Sequence, residues 1–358
     1  MHRIVATTPL FLLFVIQSCG DLVESEEAIP QQILGTPLTT VQTAGTYQWW
    51  WPLFAWTPDG TEIVHRPFIR TTPGPQLLVV NTSNRSTRLM VDVAYGELEV
   101  FKVPEEDDAV YYSASTYQGS VGAICRVASS GATEDVLVDT AVTSFDVSPD
   151  GSFLAYAIRE DSLYLLDVTA RTTRAIEHDA GYVVGVSPDG NAVLHGSFPR
   201  EELQLSTLDD HTTRTIWSEE QFERSLLGHR WEQGELQFLY FESGDLYVRN
   251  VLAGVTHRVA TTGGTPATAA WSSNGRLIAV WVSGECLRSQ WTCQLRQYTL
   301  QLIDLVSGSV SQIGQGNFNV GDYEEPTDLR FSPDGSRVAY VHQRTGTSGS
   351  VLYVMDLP

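Results

Sequence analysis

Past the first two dozen residues, the apolar positions of this chain do not recur at the spacing of a helix. They alternate with polar ones or gather in short runs rich in Val, Ile, Leu and aromatic residues, and turn residues punctuate them. The clearest unit is "FDVSPDGSFLAYAI" (145–158), written again as "VGVSPDGNAVLHGS" (184–197). In the turn, Pro presets φ, Asp bonds to nearby backbone and Gly accepts positive φ. Apolar flanks around such a turn predict a strand–turn–strand hairpin. The same unit appears as "WTPDGTEIVH" (56–65), "WSSNGRLIAV" (271–280) and "FSPDGSRVAY" (331–340).

Spacing turns the hairpins into a repeat. Pro149 and Pro188 lie 39 residues apart, and the gaps from Pro58 to Pro149 and from Pro188 to Ser273 are each close to two such periods. Each long gap therefore hides a weaker copy: "VPEEDDAVYYSAS" (103–115) and "WEQGELQFLYFES" (231–243). The last interval carries an insertion within the sixth unit. After each turn strand comes a second strand with an apolar–Asp/Asn–apolar end, as in "LYLLDV" (163–168), "LYVRNV" (246–251), "LQLIDL" (300–305) and "LYVMDL" (352–357), and then a polar strand. Four strands per unit of this length is the period of a β-propeller blade. The fold class is all-β: a propeller of seven four-stranded blades, six being the other count the weak copies allow. The seventh unit has three strands of its own. The β-rich segment "QILGTPLTTVQT" (32–43) is expected to supply the fourth and close the ring, since an open edge would leave backbone groups unpaired.

The motif "SPDG…LAY" followed by "LYLLDV" resembles the TolB-like β-propeller repeat over roughly residues 32–358. The resemblance implies the fold and says little about function. No counterpart is expected in this sequence for the α/β domain that accompanies the propeller in TolB, so the resemblance is not expected to carry over that protein's partner-binding role intact.

Charge narrows the partners. The chain carries 22 basic and 43 acidic residues and one lysine, Lys102, for a formal net charge of −21. Such a surface repels nucleic acid and anionic headgroups. The start, "MHRIVATTPLFLLFVIQSCGDLVESEE", has a short basic head and an apolar run too brief to span a bilayer. "IQSC" is similar to a bacterial lipobox. Residues 1–18 are thus expected to be a lipoprotein signal peptide, Cys19 the lipidated residue, 19–31 an acidic tether and 32–358 the propeller domain. Gly20 in place of Asp favours the outer membrane, with the protein facing the periplasm or the surface.

In an oxidising compartment Cys286 and Cys293, seven apart in the blade-six insertion, are expected to form a disulfide stapling a loop. Cys125 reads as a buried free thiol. No G-x-S-x-G elbow and no metal-binding His spacing occurs, so neither a catalytic residue nor a cofactor is expected. His65 and His195 occupy the slot that holds Tyr156 and Tyr340 in other units, and read as packing residues. The turn aspartates Asp59, Asp150, Asp189 and Asp334 recur in every clear unit, which marks scaffold.

Residues that break the repeat are the better candidates for function. "TYQWWWPLFAW" (46–56) places Trp49, Trp50 and Trp51 before the first inner strand, on the face opposite the turns. The blade-six insertion and Asp322, Tyr323, Glu324 and Glu325 reach the same face. The expected function is a lipid-anchored, non-catalytic scaffold that takes an envelope protein or peptide on this face, a basic one being favoured by charge. The alternatives are a carbohydrate or small-ligand binder using the same aromatic and acidic residues, or a propeller lyase or hydrolase. A monomer is expected.

Overall fold

The computed structural model describes residues 35–42, 54–66, 76–92, 97–115, 122–131, 134–140, 142–158, 162–178, 180–197, 202–218, 225–232, 234–289, 293–319, 326–343 and 349–358. These residues form 28 strands in seven four-stranded antiparallel sheets. Blade I comprises β2 (Phe54–Trp56), β3 (Glu62–His65), β4 (Gln76–Asn81) and β5 (Thr87–Asp92). Blade II comprises β6 (Glu97–Lys102), β7 (Ala109–Ser115), β8 (Gly122–Ala128) and β9 (Glu134–Asp139). Blade III holds β10 (Ser144–Val147), β11 (Phe153–Ile158), β12 (Ser162–Asp167) and β13 (Thr172–His178). Blade IV holds β14 (Ala180–Val186), β15 (Ala192–Ser197), β16 (Glu202–Thr207) and β17 (Thr212–Trp217). Blade V holds β18 (Ser225–Glu232), β19 (Glu235–Glu242), β20 (Asp245–Asn250) and β21 (Val255–Thr261). Blade VI is β22 (Pro266–Trp271), β23 (Leu277–Ser289), β24 (Cys293–Asp304) and β25 (Val310–Asn319). Blade VII is β26 (Pro326–Phe331), β27 (Arg337–Gln343) and β28 (Gly349–Asp356), and its fourth strand is β1 (Thr36–Gln42). The two weak copies are therefore full blades, II and V, and the count is seven.

The turn works as its residues suggest. In blade III the Ser148 hydroxyl donates to Asp150 Oδ1 at 2.7 Å, and Asp150 accepts from the Ser152 amide at 3.0 Å. The amide of Phe153, where the next strand starts, donates back to the Ser148 hydroxyl at 2.9 Å. The same lattice recurs at Thr57/Asp59, Ser187/Asp189, Ser272/Asn274 and Ser332/Asp334. The turn glycines Gly60, Gly151, Gly190, Gly275 and Gly335 all have φ between 66° and 73°, a region that costs a side chain and costs glycine nothing. For Asp150, burial raises the carboxyl's pKa, and the bonds from Ser148 and Ser152 more than reverse it, so that it lies below its ordinary value. In Asp334, which is barely buried, the bonds from Ser332 and Ser336 bring it to about 2.

A single blade cannot cover its own faces, and the core accordingly consists of seven clusters, one between each pair of neighbouring blades. One of them joins blade I to blade VII: Phe54, Trp56, Ile63 and Val80 pack on Ala339, Val341, Leu352 and Val354, with Leu38 of β1 against them. The ring is therefore closed by packing as well as by pairing. The expected closure is present: β1 runs antiparallel to β28 from Thr36↔Val354 to Gln42↔Gly349.

The slot five residues past the turn glycine is a packing slot. His65 and His195 are fully buried, as is Tyr340. Where the slot holds Tyr, the ring stacks on a Tyr of the next strand at about 5.3 Å in blades III, V and VII. Cys125 is a free thiol 5% exposed, and burial followed by a hydrogen bond with Glu134 pushes its pKa up to about 12. It is inert as a nucleophile at neutral pH.

Candidate functional site

Four of the segments singled out in the sequence lie outside the described residues: the leader 1–18, Cys19 with the tether 19–31, Trp49–Trp51, and Asp322–Glu325. The fifth is in place. Cys286 and Cys293 are bridged, with their Cα atoms 5.7 Å apart. What they staple differs from the loop expected. β23 and β24 run 13 and 12 residues against the six typical of the other blades, and their ladder continues through Cys286↔Arg296 to Ser289↔Cys293. β25 follows them, pairing Leu295↔Asn319 and Arg296↔Phe318. The insertion is thus a three-stranded extension of blade VI. Backbone pairing carries the ladder on through three register shifts, so hydrogen bonding rather than loop closure shapes it. It rises at the end where β23 meets β24, opposite the β22–β23 turn, which is the face expected. Gly284, Glu285 and Leu287 on it are exposed.

The first strands of neighbouring blades touch one another across the ring: β6 with β10, β10 with β14, β18 with β22, β22 with β26. They line the central channel, and the charges there escaped the sequence reading. Lys102 of β6 pairs with Asp146 of β10 at 2.8 Å, both side chains largely buried. From blade V, His229 reaches towards the same pair. Gly185 of β14 lies in its path, and a Cβ there would sit 2.6 Å from His229 Nε2, so the absence of a side chain at 185 makes room for the imidazole. Burial lowers the His229 pKa to about 4; the Asp146 charge opposes that shift and Lys102 adds to it. The imidazole is therefore neutral at pH 7 and lies within electrostatic reach of an ion pair that is already neutralised.

Nearer the turn face, Arg230 is held by Glu232, by Gln237 Oε1 at 3.0 Å, and by the Trp271 ring 4.8 Å beneath its guanidinium. Glu105, on the β6–β7 connection of blade II, feels Arg230 from across the channel. Glu105 is exposed, yet surrounding protein at the channel mouth, and then Glu106, raise its carboxyl's pKa, and Arg230 partly offsets them. In blade VII Arg330 pairs with Asp328 at 3.0 Å, and Asp328 also accepts the Phe54 amide of blade I at 3.4 Å. The signal for these residues was available in the sequence: Lys102, Asp146 and Arg330 occupy one position of the inner strand, which is Gly185 in blade IV. Reading it needed the register that only the paired strands supply.

Lys102 and Asp146 thus pair across blades, while Arg230 and Arg330 pair with carboxylates of their own blades. Among the described residues no three of His, Cys, Asp or Glu converge as ligands for a metal ion.

No family model matches the chain, and no curated protein matches it. Solved structures do. An oligogalacturonate lyase in complex with manganese covers 92% of this chain and 99% of its own at 12% identity, with a TM-score of 0.64. A chain of a mitotic checkpoint complex covers 94% and 99% at 12% identity, with a TM-score of 0.53. TolB from Acinetobacter baumannii covers 72% and 63% at 13% identity, and its TM-score of 0.44 carries no argument. A lyase and a chain of a mitotic checkpoint complex share the architecture at this level of identity, so the likeness bears on fold alone. The TolB-like repeat accordingly rests on its motif, while the architecture it implied is the one present: the chain is a seven-bladed β-propeller.

Proposed function

We propose that this protein is an exported, lipid-anchored propeller that binds a protein or peptide of the cell envelope and does no chemistry of its own. The observation that carries the reading is the disulfide-closed, three-stranded extension of blade VI. The ring closes without it, since the other blades pack by strands of ordinary length. A rigid element added on one face is what an interaction surface needs, because its entropy is already spent before a partner arrives. The described channel ion pairs support the same reading, since Lys102, Arg230 and Arg330 each have a carboxylate of this chain as partner and His229 is neutral. The acidic balance of the chain favours a basic partner whose capture weakens with salt.

The test uses photo-crosslinking residues in the intact envelope, one replacing Leu287 on the extension and one replacing Val306, an exposed residue of the turn face. Leu287 is expected to crosslink to a discrete basic protein or peptide in a salt-sensitive way, and Val306 is not. Equal labelling from both positions, or none from Leu287, overturns the reading. The anchor has its own test. Cys19→Ala is expected to abolish incorporation of a fatty-acid probe and to release the protein from the membrane fraction; unchanged attachment refutes the address.

A further inference from the structure

We infer that the outer junction between blades IV and V holds a binding pocket for a small oxyanion-bearing molecule, with Arg249 and Arg214 as the anion clamp. A cavity of about 250 Å³ opens there, lined by these arginines together with Thr215, Trp217 and Ser218. It is separate from both the channel and the blade VI extension.

Arg249 pairs across β19 with Phe238, and the same register position holds Val80, Val127, Leu166, Ile303 and Met355 in blades I, II, III, VI and VII. Those five are buried and apolar. Blade IV has Ser206 there, and its hydroxyl is hydrogen-bonded to His195 at 2.9 Å and Thr213 at 2.8 Å. Only blade V places a cation in this slot. Arg249 faces the cluster of Leu203, Leu205, Trp217 and Phe238, and its Nε is buried with no hydrogen-bond partner. A buried donor without an acceptor is costly and uncommon in a folded protein.

Charge sharpens the point. In this acidic chain carboxylates take up seven of the described arginines, among them Arg88 with Glu62, Arg126 with Asp107, Arg258 with Asp245 and Arg276 with Asp304. Neither Arg249 nor Arg214 has a carboxylate or any other hydrogen-bond partner among the described residues. The comparison within the fold is direct. Arg174 occupies in blade III the position of Arg214 in blade IV, and its guanidinium donates to the Gly190 carbonyl of the next blade at 3.4 Å. Arg214 has no such bond, because blade V opens with a longer hairpin in which β18 and β19 pair on to Glu232↔Glu235. Two planar, unpaired guanidinium forks facing one cavity suit a carboxylate or phosphate oxygen pair. The Trp217 indole and the cavity volume leave room for an organic body beside the anion. Among the described residues, Glu202 is the acid that a lining residue contacts, accepting the Thr215 hydroxyl at 3.2 Å, and its charge opposes that of an anion in the pocket.

Titration calorimetry on the full chain, at constant ionic strength held with chloride, tests this with two probes: inorganic phosphate and succinate. Saturable one-site binding of either is expected, and the preferred probe assigns the anion as phosphoryl or carboxylate. Arg249→Met puts in the residue blade VII already uses at this slot. It is expected to weaken binding at least about tenfold while leaving the melting temperature equal or higher. Arg214→Gln, on an exposed strand where folding is not at issue, is expected to weaken binding as well, and Glu202→Gln to strengthen it. Absence of saturable binding by both probes overturns the inference. So does binding that persists unchanged in Arg214→Gln and Arg249→Met, or a fall in melting temperature in Arg249→Met without loss of affinity.

Discussion

Removal of residues 20–43 is expected to unfold the ring or to lower its melting temperature steeply, whereas removal of 20–30 leaves stability unchanged. The first deletion takes away β1 and the second does not. β1 contributes six paired positions to β28, from Thr36↔Val354 to Gln42↔Gly349. At about 1 kcal/mol net per backbone hydrogen bond, losing that ladder costs on the order of several kcal/mol. It also bares the outer edge of β28 and takes Leu38 off the blade VII–blade I cluster. An exposed edge of this length templates pairing with other chains, so aggregation on heating should accompany the loss. A point variant isolates the effect. Gly35 enters β1 at φ 74°, and a Cβ there would lie 2.6 Å from the Val354 carbonyl oxygen. Gly35→Val should therefore reproduce part of the destabilisation without shortening the chain. Differential scanning calorimetry of the two deletions and the variant decides the matter; equal melting temperatures for 20–30 and 20–43 would mean that β1 does not close the ring.

The second expectation is a loss of stability in mild acid that begins well above the carboxylate range. His65 and His195 are both fully buried in the slot that Tyr fills elsewhere. Burial lowers each pKa to about 4; for His65 a backbone bond at Arg66 opposes the shift, and for His195 the Glu177 charge and then the Gly196 backbone oppose it. The unfolded chain takes up these protons near pH 6.5 and the folded chain only near 4. Stability is therefore full above the unfolded value, falls as pH drops from 6.5 towards 4, and changes no further from this source below 4. The difference corresponds to about 3 kcal/mol for each histidine at the acid end of the window. A second loss follows below pH 3.8, where the turn carboxylates protonate; Asp334 with its pKa near 2 holds out longest. Chemical denaturation at pH 7.5, 5.5 and 4.5 should show the first slope. His65→Leu and His195→Gln should each flatten it, the second keeping a polar atom towards Ser206 Oγ, 2.9 Å from the native imidazole. An unchanged slope in the double variant refutes the assignment.

How much of this was legible beforehand depended on whether the signal was local. The S-P-D-G turn carries its whole mechanism within six residues, from Ser148 to Phe153, and so announces every hairpin it builds. Repetition then supplied the blade, and the blade supplied the ring, because a four-stranded sheet buries its faces only against a copy of itself. The weak copies in blades II and V were readable from spacing alone. The closing strand was readable because blade VII lacked a fourth strand, and the disulfide because two cysteines of one unit lie seven positions apart.

What the tertiary structure alone decided concerns residues that act on partners far away in sequence. The insertion became a ladder because β25 was available beside it, and no local motif states that. Lys102 meets Asp146, and His229 comes to them through the space at Gly185, only once blades II to V surround one axis. Arg249 looks like a surface residue of a polar-ended strand until register places it opposite Phe238, in a slot that five other blades fill with a buried apolar side chain. Pattern and turn chemistry are written in neighbouring residues and therefore determined the scaffold. Charge complementarity across the channel and between blades depends on distances that closure of the ring creates, and so it was decided by the fold.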